Sequence, residues 1–388
     1  MADRLFRAAL ALVCAAILIP PVIWGRNHDA GLPPSQVRHT ERAAPGSVGA
    51  AVAGVIPQTV KLSPPPKGAL ARAAALSPAE RAAQTLLVGF RGTDAGADVF
   101  RELRAHGFGG IVITSDNALT VHQVGVLART ARVVARRGRR VAPLVVAEPN
   151  GSPSEPSLAG SSPAKVRART RAAAVRVAGA GVSLVLDPIV DVPAAGGPLS
   201  EDAFSDDPRV VSKLAQAAVE GWKAGGVQPV PSHFPGQGAA TQDPLAGPAN
   251  VGLGPDDLAA RDLGPFRGAL AHAHAVMLSS ATFTAYDPIT PAALVPTIAK
   301  TLLRGTLRFG GVAMTDDLAS LAVATGRSQP QVAVDALRAG VDLVYVPNPS
   351  QQRRVYEAVV AAARSGRIPA ARLQEAAARV LELKRAAS

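Results

Sequence analysis

Beyond residue 76 the chain alternates between short apolar runs and longer stretches whose apolar positions recur every three or four residues. The apolar runs fall near 86–90, 110–114, 143–147, 183–187, 228–232, 275–279, 311–315 and 342–346. They are too short for helices and most are rich in Val, Leu and Ile, which predicts strands buried on both faces of a parallel sheet. Between most of them lie Ala/Arg/Leu-rich stretches with helical spacing, at 119–137, 206–224, 259–270 and 295–308. Two more helices are predicted at 351–364 and 370–386. Eight strands alternating with helices over about 300 residues predict a single-domain α/β fold, a (β/α)8 TIM-type barrel spanning 76–388. An open doubly wound sheet is the alternative, and the strand count favours closure.

The start of this domain is marked by Ser77-Pro78-Ala79-Glu80. Ser77 is placed to cap a helix, Pro78 suits its first position, and Glu80 completes a capping box. Upstream, residues 26–75 carry Pro33-Pro34, Pro45-Gly46, Pro57 and Pro64-Pro65-Pro66 without apolar periodicity, and read as an extended, disordered linker. Residues 1–25 hold Arg4 and Arg7 ahead of an apolar run from Ala8 to Trp24. That pattern predicts a signal anchor or signal peptide, with the barrel exported to the cell envelope and tethered to the membrane or secreted. Cys14 lies inside the run after Val13, a poor context for a lipoprotein cysteine.

Cys14 is the single cysteine, so no internal disulfide framework or Cys-based metal site is available. The net charge of +12 is spread over helical segments such as 129–140 and 167–176 without interleaved aromatics. This describes a solvated helix surface and not a nucleic-acid groove; an anionic envelope polymer or lipid surface is the livelier partner. No metal-ligand spacing and no Gly-rich phosphate loop is present, so no cofactor is expected.

Chemistry concentrates where the strands end, which in a parallel barrel is the mouth that binds ligands. Glu148 follows the third run, and Asp187 and Asp191 the fourth. Ser232-His233-Phe234-Pro235-Gly236-Gln237-Gly238 follows the fifth, with Asp243 in the same long loop. Ser279-Ser280 follow the sixth run and Asp316-Asp317 the seventh. Asp317 suits a helix cap, whereas an acid at the position of Asp316 costs stability unless it is bonded or used. Asp187 and Asp191 read as loop braces. His272 and His274 precede the sixth run, at the opposite mouth, and read as structural; His106 and His122 read as surface residues.

His233-Phe234-Pro235-Gly236-Gln237-Gly238, followed by Met314-Thr315-Asp316-Asp317-Leu318, resembles the catalytic barrel of glycoside hydrolase family 3, and in particular its single-domain bacterial β-N-acetylhexosaminidases. Leu186-Asp187-Pro188-Ile189-Val190-Asp191, Phe309-Gly310-Gly311 and Ala339-Gly340-Val341-Asp342 extend the likeness in consistent order over 75–388. The resemblance implies a retaining glycosidase acting on β-linked N-acetylhexosamine units of cell-wall glycan. Asp316 takes the place of its nucleophile, and Asp243 that of the Asp in its Asp–His acid/base pair. His233, Glu148 and Ser232 fall at sugar-contact positions.

The sequence also departs from that pattern. The His of the acid/base pair is Leu245, which cannot exchange a proton. The family's Lys before the loop histidine is Ser232, its Asp after the third strand is Glu148, its fourth-loop Arg aligns with Asp202, and its His after the sixth strand is Ser280. Loss of the Lys and Arg removes charge-assisted hydrogen bonds to substrate. The alternative expectation is therefore a catalytically degenerate barrel that binds a glycan or scaffolds an envelope partner.

Overall fold

The computed structural model of the protein describes residues 63–148, 158–197 and 199–388. The signal or anchor segment and most of the linker, residues 1–62, lie outside the described residues. In chain order the elements are α1 (Lys67–Ala74), α2 (Pro78–Gln84), β1 (Leu86–Val88), α3 (Asp98–His106), β2 (Gly110–Ile113), α4 (Val121–Arg137) and β3 (Leu144–Ala147). There follow α5 (Pro163–Gly179), β4 (Leu184–Val185), α6 (Pro208–Ala224), β5 (Gln228–Pro229), α7 (Pro255–Arg261), α8 (Leu263–Leu270) and β6 (Ala275–Leu278). The chain closes with β7 (Val312–Asp317), α9 (Leu318–Thr325), α10 (Gln329–Ala339), β8 (Leu343–Val346), α11 (Pro349–Arg364) and α12 (Ala370–Ala386).

The eight strands pair in parallel in the order β5-β4-β3-β2-β1-β8-β7-β6. The ring closes where the extension of β5 meets β6: Phe234 N donates to Met277 O (2.8 Å), Met277 N to Pro231 O (3.0 Å) and Ser279 N to Phe234 O (2.8 Å). The predicted closed barrel is the observed one. A three-stranded sheet of Asn250–Val251, Thr282–Phe283 and Asp287–Pro291 is built from the loops that follow β5 and β6.

Alternation along the strands sorts the core into two layers. Leu87, Val112, Leu144, Val146, Leu184, Met277, Val312, Met314, Leu343 and Tyr345 fill the barrel interior, joined from below by Val380 and Leu383 of α12. Val88, Ile111, Val145, Val185, Val276, Ala313 and Val344 face outward into the helix layer. Extending the same alternation by two residues puts Glu148 after β3, and Asp316 on β7, on the interior side at the upper mouth.

Three boundaries differ from the sequence expectations. The ordered domain begins ahead of residue 76, because Lys67–Ala74 forms α1 inside the stretch read as linker. Its small apolar residues Ala69 and Ala73 are fully buried against Ala377, Ala378 and Leu381 of α12. The stretch at 259–270 is two helices that meet at the buried Asp262. The stretch at 295–308 is a π-helix, Thr297–Thr306, from which the buried Arg304 reaches Asp342. The Ser77 capping box is present, with Glu80 N donating to Ser77 Oγ and Ser77 N to Glu80 Oε2. Among the described residues no helix is long and apolar enough to cross a membrane.

Candidate active site

The loop after β5 is held by two close approaches. Gly236 has φ +124°, and a Cβ there would meet Asp262; a Cβ on Gly238 would lie 2.0 Å from the carbonyl oxygen of Val192. Only glycine serves at either position. The loop thus folds back over the β4 loop and brings His233 to Asp191. His233 Nδ1 lies 2.7 Å from Asp191 Oδ2, and Gln237 N donates to Asp191 Oδ1 at 2.7 Å. Asp191 is the loop brace the sequence suggested. Asp187 is fully buried and accepts from Trp222 Nε1 at 2.5 Å.

Burial alone would pull the His233 imidazole toward neutrality. The Asp191 carboxylate, helped by the fields of Asp316 and Asp243, overrides it and lifts the pKa to about 9. The Asp191 pairing thus favours the cationic form of His233 at neutral pH, on a side chain that is only partly exposed. Asp316 is 8% exposed; its Oδ1 accepts from Asp317 N (2.8 Å) and its Oδ2 from Ser280 Oγ (3.4 Å). Asp317 caps α9 through Ala319 N, as expected, and its pKa is raised, chiefly by burial.

Glu148 enters the same mouth from β3. Tyr345 Oη, from β8, donates to Glu148 Oε1 at 2.9 Å. Burial raises the Glu148 pKa; the tyrosine bond works against this, and Asp316, Asp317 and Asp116 add to it. Burial and the neighbouring carboxylates likewise hold the Tyr345 phenol firmly protonated, a fixed donor. Ser232 is buried at the end of the β5 extension, where its carbonyl accepts from Val190 N. Ser279 Oγ donates to Gln237 Oε1 at 2.6 Å and ties the β6 loop to the β5 loop.

Asp316, Glu148 and His233 thus converge, with Ser280 and Tyr345 as immediate partners. Asp243 stands further out: its Oδ1 accepts from Leu245 N at 2.9 Å in an Asx turn, and the Leu245 side chain is 62% exposed. Tyr345 was missed from sequence, its one signal being a hydroxyl inside the aliphatic run Leu343-Val344-Tyr345-Val346. His272 and His274 lie at the lower mouth, near Glu220 and Gln228, as expected. Among the described residues no group of three or more His, Cys, Asp or Glu side chains is arranged to hold a metal ion. What the cluster offers is a carboxylate flanked by hydrogen-bond donors and one cation, a lining suited to a neutral polyhydroxylated ligand.

A model of the glycosyl hydrolase family 3 N terminal domain matches residues 79–383. The chain is 30% identical over 353 residues to the beta-hexosaminidase LpqI of Mycobacterium tuberculosis, covering 85% of this chain and 89% of that one. It is 34% identical over 177 residues to a beta-hexosaminidase of Stenotrophomonas maltophilia, and there the match spans 52% of the relative's length. The solved family 3 beta-N-acetylglucosaminidase of Paenibacillus superposes with a TM-score of 0.77 at 27% identity, over 81% of this chain and 63% of that one.

Proposed function

The chain belongs to glycosyl hydrolase family 3, and from that membership we propose that it is a retaining glycosidase for β-linked N-acetylhexosamine units of cell-wall glycan. The observation that carries the reading is Asp316, an acid at the C-terminal end of β7, facing the interior of the mouth within the fields felt by His233 and Glu148. In the proposed reaction an Asp316 oxygen attacks the anomeric carbon. The carbon–leaving-group bond breaks as the aspartyl–glycosyl bond forms, and the departing oxygen takes a proton. Water then opens the glycosyl-enzyme, with loss of a proton and retention of configuration. His233, Glu148 and Ser232 bind sugar hydroxyls. Asp243 is the candidate proton donor, and its turn must open for its carboxyl to face the leaving group. We place the protein in the bacterial cell envelope, reached through the apolar segment ahead of the barrel.

One observation favours a second reading, in which the barrel binds glycan without cleaving it. The position of the acid/base histidine carries the solvent-facing Leu245, whose side chain cannot exchange a proton.

The two readings separate with dinitrophenyl β-N-acetylglucosaminide as substrate and Asp316→Asn as control. Dinitrophenolate departs without protonation, so the assay reads the nucleophile alone. Dinitrophenolate release and a glycosyl adduct on the wild-type protein, both absent from the variant, support hydrolysis. Equal background from both proteins, with no adduct by mass, leaves the binding reading.

A further inference from the structure

At the opposite, lower end of the barrel, the residues that precede β6 and β7 and residues of α12 line an open cavity of about 660 Å³. Its charged lining is Arg267, Arg308, Arg379, Arg385 and Glu382, with His274 beside them. Four guanidiniums therefore face one carboxylate. That carboxylate is already engaged, since Glu382 accepts from Arg72 (2.9 Å) on one oxygen and from Arg385 (2.6 Å) on the other. Arg267 and Arg308 form no ion pair among the described residues.

Arg379 is the built part of the cavity wall. It is only 4% exposed, and its Nη2 donates to the carbonyl of Ser63 at 2.7 Å. Its Nη1 lies 3.7 Å from Asp342 and 3.4 Å from Glu375, and its buried Nε has no hydrogen-bond partner. Behind it, Arg304 pairs with Asp342 and Arg372 with both Asp342 and Glu375, so three guanidiniums meet two carboxylates with one positive charge uncancelled. The Arg379 Nε is closed off from the cavity, so it adds to the positive charge of this wall without itself meeting a ligand. The field extends to His274, whose pKa is pulled down first by burial, then by Lys223 and, against Glu382, by Arg385.

Guanidinium forks match the oxygens of a tetrahedral oxyanion, and several of them around one cavity suit more negative charge than a single carboxylate brings. We propose that this lower cavity is a binding site for a phosphate group, distinct from the glycan site at the upper mouth and independent of its activity. The phosphate can belong to a soluble ester or to a lipid headgroup. The chain enters the described domain at this face, where Ser63 Oγ donates to the carbonyl of Arg308 (3.1 Å) and Pro64 lines the cavity.

The test uses the full chain, its Arg267→Gln/Arg308→Gln variant, and an Arg136→Gln/Arg137→Gln control that removes equal charge from exposed positions of α4. All four residues are exposed, and unchanged thermal unfolding verifies that the variants fold. Inorganic phosphate is titrated calorimetrically, and sedimentation is compared on phosphatidylcholine vesicles with and without phosphatidylglycerol. At least a tenfold loss of phosphate affinity in the first variant alone assigns a soluble phosphate ligand. Loss of the extra retention on phosphatidylglycerol vesicles in the first variant alone assigns a headgroup. If neither ligand binds, or if both variants weaken equally, the proposal is overturned.

Discussion

His233 Nδ1 and Asp191 Oδ2 stand 2.7 Å apart, and this one contact sets the charge at that edge of the upper mouth. A free histidine titrates near 6.5, whereas burial and Asp191 together leave this one at about 9. The pairing therefore contributes stability fully below pH 6.5, and the contribution is lost as pH rises through about 9. In Asp191→Asn, burial remains while the main counter-charge is gone. The imidazole midpoint, followed by NMR, should drop by at least about one unit, and glycan binding should weaken at correspondingly lower pH. A midpoint still near 9 would show that Asp191 does not govern this charge.

Leu245→His restores an imidazole two residues from Asp243, on an exposed turn where substitution changes stability by no more than about 0.5 kcal/mol. Cleavage of an aryl β-N-acetylglucosaminide with a poor leaving group should rise by about 100-fold or more, the range of a positioned acid. Dinitrophenyl substrate, which needs no acid, should change little. Equal gains on both substrates would mean that the histidine acts through binding and not through proton transfer.

The parts of this architecture that depend on local pattern were legible in the sequence. Short apolar runs bounded by helical spacing located all eight strands, and Gly310-Gly311 before the apolar triplet of β7 placed Asp316 at its far end. Features that depend on residues distant in sequence were not. Tyr345 reads as core, because only the strand order brings its hydroxyl to Glu148, 197 residues away. Helix α1 follows three prolines and has few large apolar residues; its reason to fold is the small-residue contact with α12. The arginines of the lower cavity are scattered over α8, α12 and the turn after the π-helix, so no segment announces them.

Asp262 sits beneath the β5 loop with neither carboxylate oxygen hydrogen-bonded, and burial lifts its pKa to about 8. An acid with a raised native pKa favours the folded state at low pH. That stability drains away as pH climbs from about 4 to 8, by at most about 1.4 kcal/mol per pH unit. Asp262→Asn keeps the shape without the charge. Its melting temperature should be less pH-dependent between pH 5 and 8 than the wild type's, and higher at pH 8. Parallel melting curves for the two proteins would mean that Asp262 is not carrying a native-state proton.

The strand that carries the proposed nucleophile is braced from below by a buried ion cluster. Asp342, fully buried just ahead of β8, accepts from Arg304 Nη2 and Arg372 Nη2 at 2.5 Å each and from Ala313 N of β7 at 3.0 Å. It thereby couples two adjacent strands three residues below Asp316. A buried pair adds little net stability over an apolar replacement, but removing one partner strands the other's charge. Here three guanidiniums would be left with Glu375 alone, because Arg304, Arg372 and Arg379 all turn to Asp342, and burial already lowers the Arg304 pKa to about 10. Asp342→Asn should cost about 3–5 kcal/mol in chemical denaturation. Arg304→Met leaves two arginines facing Asp342 and Glu375, so its cost should be clearly smaller. Equal losses for both variants would indicate that packing against Phe309, and not charge, sets the stability of this corner.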